Sequence, residues 1–110
     1  IGILAAIAIP KFAATKDKAK LASVKTDLRN TETAQEAYFS DFNTYGTFAQ
    51  LQAASGFVLS PGNAVTAEAA AAGGYSLTIQ NSSISGTPNQ CHVAVGVGAP
   101  AGQDGVIICP

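Results

Sequence analysis

Two cysteines, one histidine and one short acidic stretch are the residues of this chain that could do chemistry. Cys91 and Cys109 are too few for a structural zinc site and form no C-x-x-C pair. A disulfide between them is the better reading, against the alternative of two buried free thiols. It points to an oxidising compartment outside the cytoplasm, and a loop of that size contributes on the order of 3 kcal/mol when unstrained. His92 falls on a strand position facing away from a valine-bearing face. It reads as a surface histidine, and no Ser-His-Asp or Cys-His set assembles around it. Asp41-Phe42-Asn43-Thr44-Tyr45-Gly46 begins like a calcium loop. Tyr45 and Gln52 occupy two of the ligand positions, so the loop is incomplete. Gly96-Val97-Gly98 lacks the third glycine and following helix of a dinucleotide fingerprint, and Asn81-Ser82-Ser83 is a sequon of a kind common by chance. This inventory predicts no enzyme, no cofactor and no metal site.

The elements that would carry these residues describe an α+β chain. From Lys11 to about Phe42 there is neither Gly nor Pro, which predicts one long helix. Its buriable face is read from Leu21, Val24, Leu28, Ala34, Tyr38 and Phe42, with one slip in the spacing. Thr31 and Gln35 weaken the middle of that stripe, so its cover is expected to be incomplete or tolerant of polar groups. Thr47-Phe48-Ala49-Gln50 fits a capping box opening a short helix, with Gly56 as its stop. Ser60-Pro61-Gly62-Asn63 is a turn cluster, and the alanine-rich stretch from Thr66 to Ala72 is read as a second brief helical patch. The region between Asn43 and Gly74 is thus expected to be a long exposed connection carrying subunit contacts. Tyr75–Gln80 and Cys91–Val97 alternate as half-buried strands, separated by a polar loop. Gly102–Gly105 is a turn, and Val106–Cys109 a short last strand. A long N-terminal α-helix packed on a small antiparallel β-sheet is the expected fold.

Charge divides the chain sharply. All six bases, Lys11, Lys16, Lys18, Lys20, Lys25 and Arg29, lie in one block with only Asp17 and Asp27 among them. The block is therefore +4 and the remainder −5, which recovers the net charge of −1. Lys16–Lys20 and Lys25–Arg29 are like-charge pairs at i,i+4, mildly unfavourable in isolation. They suit acids on another molecule, such as Glu32 and Glu36, although a solvated basic face is the plain alternative. Nucleic-acid binding is disfavoured by the absence of interleaved aromatics and by a pI near 5.6.

In front of this block stands an unbroken apolar run, Ile1–Ile9, closed by Pro10. At 1.5 Å per residue it makes ~14 Å of helix, short of the roughly 20 residues that cross a bilayer. It reads as a buried core helix or the tail of a longer transmembrane helix. A signal peptide is disfavoured because the charges follow the run.

The wording of that segment, IGILAAIAIPKF, closely resembles the N-terminal helix of type IV pilins and of the related pseudopilins of type II secretion. The match is strong over Ile1–Phe12 and looser from Lys16 to Tyr45. On this resemblance the chain begins inside the family's mature helix, past its methylated first residue and glutamate. The resemblance implies a ladle-shaped molecule. Residues 1–24 would be the filament-core and membrane segment, and 25–110 the globular head with its C-terminal disulfide loop. Ile1, Ile3, Leu4, Ile7, Ile9, Pro10 and Phe12 would pack along the filament axis, with local melting between Gly2 and Pro10. Lys11, Lys16, Lys18, Lys20, Lys25, Arg29, Glu32 and Glu36 would set electrostatic contacts between subunits. The expected function is that of a structural subunit, a major pilin, of an extracellular filament. Its partners would be itself, the inner membrane before assembly and the pilus assembly machinery, with DNA or a surface ligand as a further partner. A pseudopilin of a secretion or DNA-uptake apparatus is the alternative within the family, and a membrane-surface amphipathic-helix protein the alternative outside it.

Overall fold

The computed structural model describes residues 2–96 and 104–110, with side chains from residue 15 onward. Its elements run α1 (Gly2–Phe42), α2 (Phe48–Ser55), β1 (Asn63–Ala71), β2 (Gly74–Asn81) and β3 (Gln90–Gly96). The three strands form one antiparallel sheet in the order β1-β2-β3. This is the α+β arrangement the sequence predicts. Helix α1 has 41 residues, about 60 Å at the usual rise, and it sets the long axis of a molecule measuring 61 × 31 × 18 Å.

The core lies between α1 and one face of the sheet. Val24 and Leu28, both fully buried, meet Tyr75, Leu77 and Ile79 of β2 and Cys91 and Val93 of β3. Register explains the match: Ile79 pairs with Cys91, Leu77 with Val93 and Tyr75 with Val95. Alternation along each strand then delivers these side chains to the same face. Each large apolar side chain buried in this way contributes roughly 1.5–3 kcal/mol.

The buried stripe of α1 departs from the expected one. It runs Val24, Leu28, Thr31, Gln35, in steps of four, three and four that keep one helical face inward. Ala34 is only half-buried, and Phe42 is 58% exposed, resting on the Tyr38 ring at 4.5 Å. The polar pair can be buried because both side chains find partners. Thr31 Oγ1 donates to the Asp27 carbonyl at 2.8 Å. Gln35 donates to the Gly46 carbonyl at 2.7 Å and accepts the Gly46 N–H at 2.9 Å. That clamp folds the chain back directly after α1 ends at Phe42, where the left-handed φ of 57° at Asn43 closes the helix.

Helix α2 has the capping box and glycine stop read from the sequence. The Thr47 and Gln50 side chains accept from each other's backbone N–H groups, and Gly56 sits at φ 71°. The alanine-rich stretch is different: Thr66–Ala72 is not helical. Through Ala71 it belongs to β1, which pairs with β2 from Asn63↔Asn81 to Ala71↔Gly74 and bulges at Thr66, and Ala72 opens the turn to β2. Alanine's helix preference is a weak prior, and so short a helix could not hold itself. Pairing satisfies the backbone and lays Val65 and Ala70 against the core. The region 43–74 is consequently a structured part of the head rather than a long connection. The expected last strand over Val106–Cys109 reduces to a single bridge between His92 and Ile108. Cys91–Cys109 is a disulfide, and it ties the two segments together beside that bridge.

Candidate functional site

The junction between α1 and the head is organised by one buried carboxylate. Asp27 is 2% exposed. It accepts from Ser60 N–H at 2.8 Å, Ser60 Oγ at 2.8 Å and Asn63 Nδ2 at 2.7 Å. The Asn63 amide also reaches Ser23 Oγ, and its Oδ1 accepts from Asn81 Nδ2 at 2.9 Å. Asn81 Oδ1 in turn receives the Ser83 N–H at 3.0 Å, and the Ser83 carbonyl accepts from Lys20 Nζ at 3.1 Å. One polar chain thus ties the helix to the 60–63 turn and to the end of β2. It also answers the sequon: Asn81 is 2% exposed, and its amide is already committed.

The bases read as intersubunit contacts divide on inspection. Lys16, Lys18, Lys25 and Arg29 are exposed on α1. Lys20 is engaged within its own subunit, at Ser83 and at 4.0 Å from Asp17. Lys18 borders a cleft of ≈ 290 Å³ with Leu21, Ile84 and Pro88. Lys11 and the apolar residues Ile1, Ile3, Leu4, Ile7, Ile9, Pro10 and Phe12 lie outside the residues with described side chains. None of residues 15–20 is buried, and the described core begins at Leu21 and Val24, inside the stretch 1–24 assigned to the assembly segment. Among the described residues, no helix is long and apolar enough to cross a membrane.

Two of the acids named from the sequence come together with a third. Glu32 and Glu36 line a ≈ 400 Å³ cleft with Thr33, Tyr75, Val95 and Asp104. One Glu32 carboxylate oxygen is buried without a hydrogen-bond partner among the described residues. Burial pushes the Glu32 carboxyl above its ordinary value, Arg29 pulls it down, and Glu36 adds to the rise. Burial likewise raises the Tyr75 phenol, helped by Glu32, Glu36 and Tyr45. Tyr75 stacks on Tyr45 at 4.9 Å and Tyr45 on Phe39 at 4.8 Å. Among the described residues, no group of three or more His, Cys, Asp or Glu is placed to hold a metal ion. The arrangement offers charged and apolar faces for contact, with no nucleophile–base pair at its centre.

Sequence reasoning found the disulfide and the capping box. It missed Asp27, which reads as one more charge within a basic block. Nothing near Asp27 in the chain signals donors 33 and 36 residues away.

No protein-family model matches the chain. It is 47% identical over 49 residues to a type IV major pilin protein, PilA, of Myxococcus xanthus (strain DK1622), a stretch that is 44% of this chain and 22% of that protein. The chain therefore spans well under half the length of that relative. With this similarity, the long N-terminal helix, the antiparallel sheet and the disulfide fit a type IV pilin.

Proposed function

We propose that the chain is a structural subunit of an extracellular type IV pilus-like filament, in the role of a major pilin. The observation that carries the reading is the similarity to a type IV major pilin, joined to a helix that extends beyond its own head. The head buries Val24, Leu28, Thr31 and Gln35 of α1 and contacts the helix from Lys20 to Phe39. The helix in front of that contact leads into the apolar run Ile1–Ile9. Ile1, Ile3, Leu4, Ile7, Ile9 and Phe12 carry apolar side chains that water disfavours. Burying them between subunits would stabilise on the order of 10 kcal/mol gross, much of it offset by lost freedom on association. A repeating head-to-tail contact that does not close makes a helical filament.

The subunit is held by the inner membrane before assembly and works with a pilus assembly machinery. It acts by packing rather than by catalysis. The exposed bases Lys16, Lys18, Lys25 and Arg29 meet acids of neighbouring heads, Glu32 and Glu36 among them, and set register more than affinity. Electron microscopy of cells producing the full-length protein, labelled with antibody against the head, tests the reading. Surface filaments labelled along their length are expected. Label confined to the cell envelope, with bare or absent filaments, would contradict it.

A further inference from the structure

The two edges of the sheet are protected in different ways. At the β1 edge the strand is interrupted by the bulge at Thr66 and carries Glu68, whose carboxylate accepts the Phe48 N–H at 3.0 Å. Bulges and charges of this kind discourage pairing with another chain. Strand β3 has neither device. Gln90–Gly96 contains no charged residue, no proline and no bulge, and its composition favours strand pairing.

What covers the β3 edge is the segment from Asp104 to Cys109. His92 N–H donates to the Ile108 carbonyl at 2.8 Å, and Ile108 N–H donates back to the His92 carbonyl at 2.9 Å. Gly105 N–H reaches the Ala94 carbonyl at 2.9 Å, and the Asp104 carboxylate accepts the Gly96 N–H at 3.3 Å. His92, Ala94 and Gly96 are the alternate residues whose backbone faces away from β2, the direction in which another strand would add. Too irregular to be a fourth strand, the segment still satisfies four of those outward groups. The Cys91–Cys109 disulfide holds it in place at the start of β3.

We infer that the Asp104–Cys109 segment is a redox-locked strap, and that opening the disulfide frees the β3 edge to pair with the β3 edge of a second copy. A dithiol supplies two electrons and two protons, leaving two cysteine thiols and closing to its own disulfide. Once the covalent tie is gone, the four hydrogen bonds and the core contacts of Ile107 and Cys109 are what oppose release among the described residues. The reverse step, oxidation of the thiols by a disulfide-bearing oxidant that takes up the electrons and protons, seals the sheet. A second copy is the fitting occupant because the opened edge is neutral, regular and able to pair with itself in antiparallel register.

The test uses the full chain in detergent micelles, oxidised or treated with dithiothreitol, so that the result does not depend on polymerisation. Amide exchange, measured at a dilution where the chain is monomeric, is compared at His92 and Gly96, which a second β3 would cover again, and at Val93 and Val95, whose amides face β2. Reduction is expected to speed exchange at His92 and Gly96 roughly tenfold or more while Val93 and Val95 stay protected. Sedimentation should show a concentration-dependent dimer in the reduced sample alone. Ile108→Pro, which deletes one donor and leaves the bridge, should raise exchange at His92 without reductant. Continued protection of His92 and Gly96 after reduction, equal loss at all four amides, or a reduced chain that stays monomeric would overturn the proposal.

Discussion

The Asp27 carboxylate and the Asn63 amide meet at 2.7 Å, joining the middle of α1 to the first residue of β1 across 36 positions of sequence. With Ser60 supplying two further donors, the carboxylate satisfies three polar groups that would otherwise be left without their acceptor. Removing a partner of this kind costs the desolvation of what remains, about 1–3 kcal/mol for each buried group. Asp27→Ala is therefore expected to lower stability by roughly 3 kcal/mol or more, since more than one donor is stranded. Urea unfolding followed by circular dichroism checks it. Ser23→Ala, which loses the 3.2 Å contact from Asn63 and the hydroxyl's own bond to the Lys20 carbonyl at 2.7 Å, should cost less, because Asn63 keeps its bond to Asp27.

Gly96 presses against the β1–β2 hairpin. A Cβ built there would collide with the Gly73 carbonyl oxygen, and φ is +76°. Backbone cannot swing aside as a side chain can, so Gly96→Ala combines a collision with a left-handed conformation. A loss of about 2–4 kcal/mol is expected. Gly56→Ala is the control: its φ is +71°, but open space surrounds the position, and a loss near 1 kcal/mol is expected. The difference in thermal midpoint between the two variants reads the collision separately from the φ cost.

Glu32 gives the head a pH dependence of known sign. Its carboxyl is raised above the ordinary value of 4.5, chiefly by burial, so the folded chain holds the proton more tightly than the unfolded chain does. That favours folding in acid and is lost as pH rises through the raised value. At pH 7 the ionised carboxylate therefore weighs against the fold. Glu32→Gln is expected to raise the thermal midpoint at neutral pH, and the gain should shrink as pH falls toward 4.5. A gain that is constant with pH would assign the effect to packing instead.

The bridge between Cys91 and Cys109 predicts a chain without alkylatable thiol under non-reducing mass spectrometry. Cys109→Ser should lower stability by about 2–5 kcal/mol, as loss of a native bridge does in small secreted domains. The cost is felt because so small a head has a thin core.

What could be read from the sequence follows the range of the interactions. The capping box Thr47–Gln50, the alternation of Tyr75–Gln80 and the long helix are local patterns, and each survives in the structure. Thr66–Ala72 failed because its state is decided by β2, a partner that supplies backbone bonds no propensity scale contains. Thr31 and Gln35 looked like defects in an apolar stripe. They are buried through hydrogen bonds to Asp27 and to Gly46, a residue 11 positions beyond Gln35. The acidic cleft was half visible: Glu32 and Glu36 share a helix, whereas Asp104 reaches them only through the C-terminal strap. Val106–Cys109 has strand composition, yet beyond the Cys91–Cys109 disulfide it pairs with β3 in a single bridge at Ile108.

The apolar run is central to the filament reading, and one substitution tests it most directly. Ile7→Lys places a charge in the middle of Ile1–Phe12, where a buried cation without a partner is strongly disfavoured. The head draws its core from Leu21 onward and should not depend on residue 7. Electron microscopy of cells producing Ile7→Lys is expected to show no filaments, while the purified variant keeps the urea midpoint of the parent. Normal filaments from Ile7→Lys cells would contradict the account, because the apolar segment could not then be the filament's core.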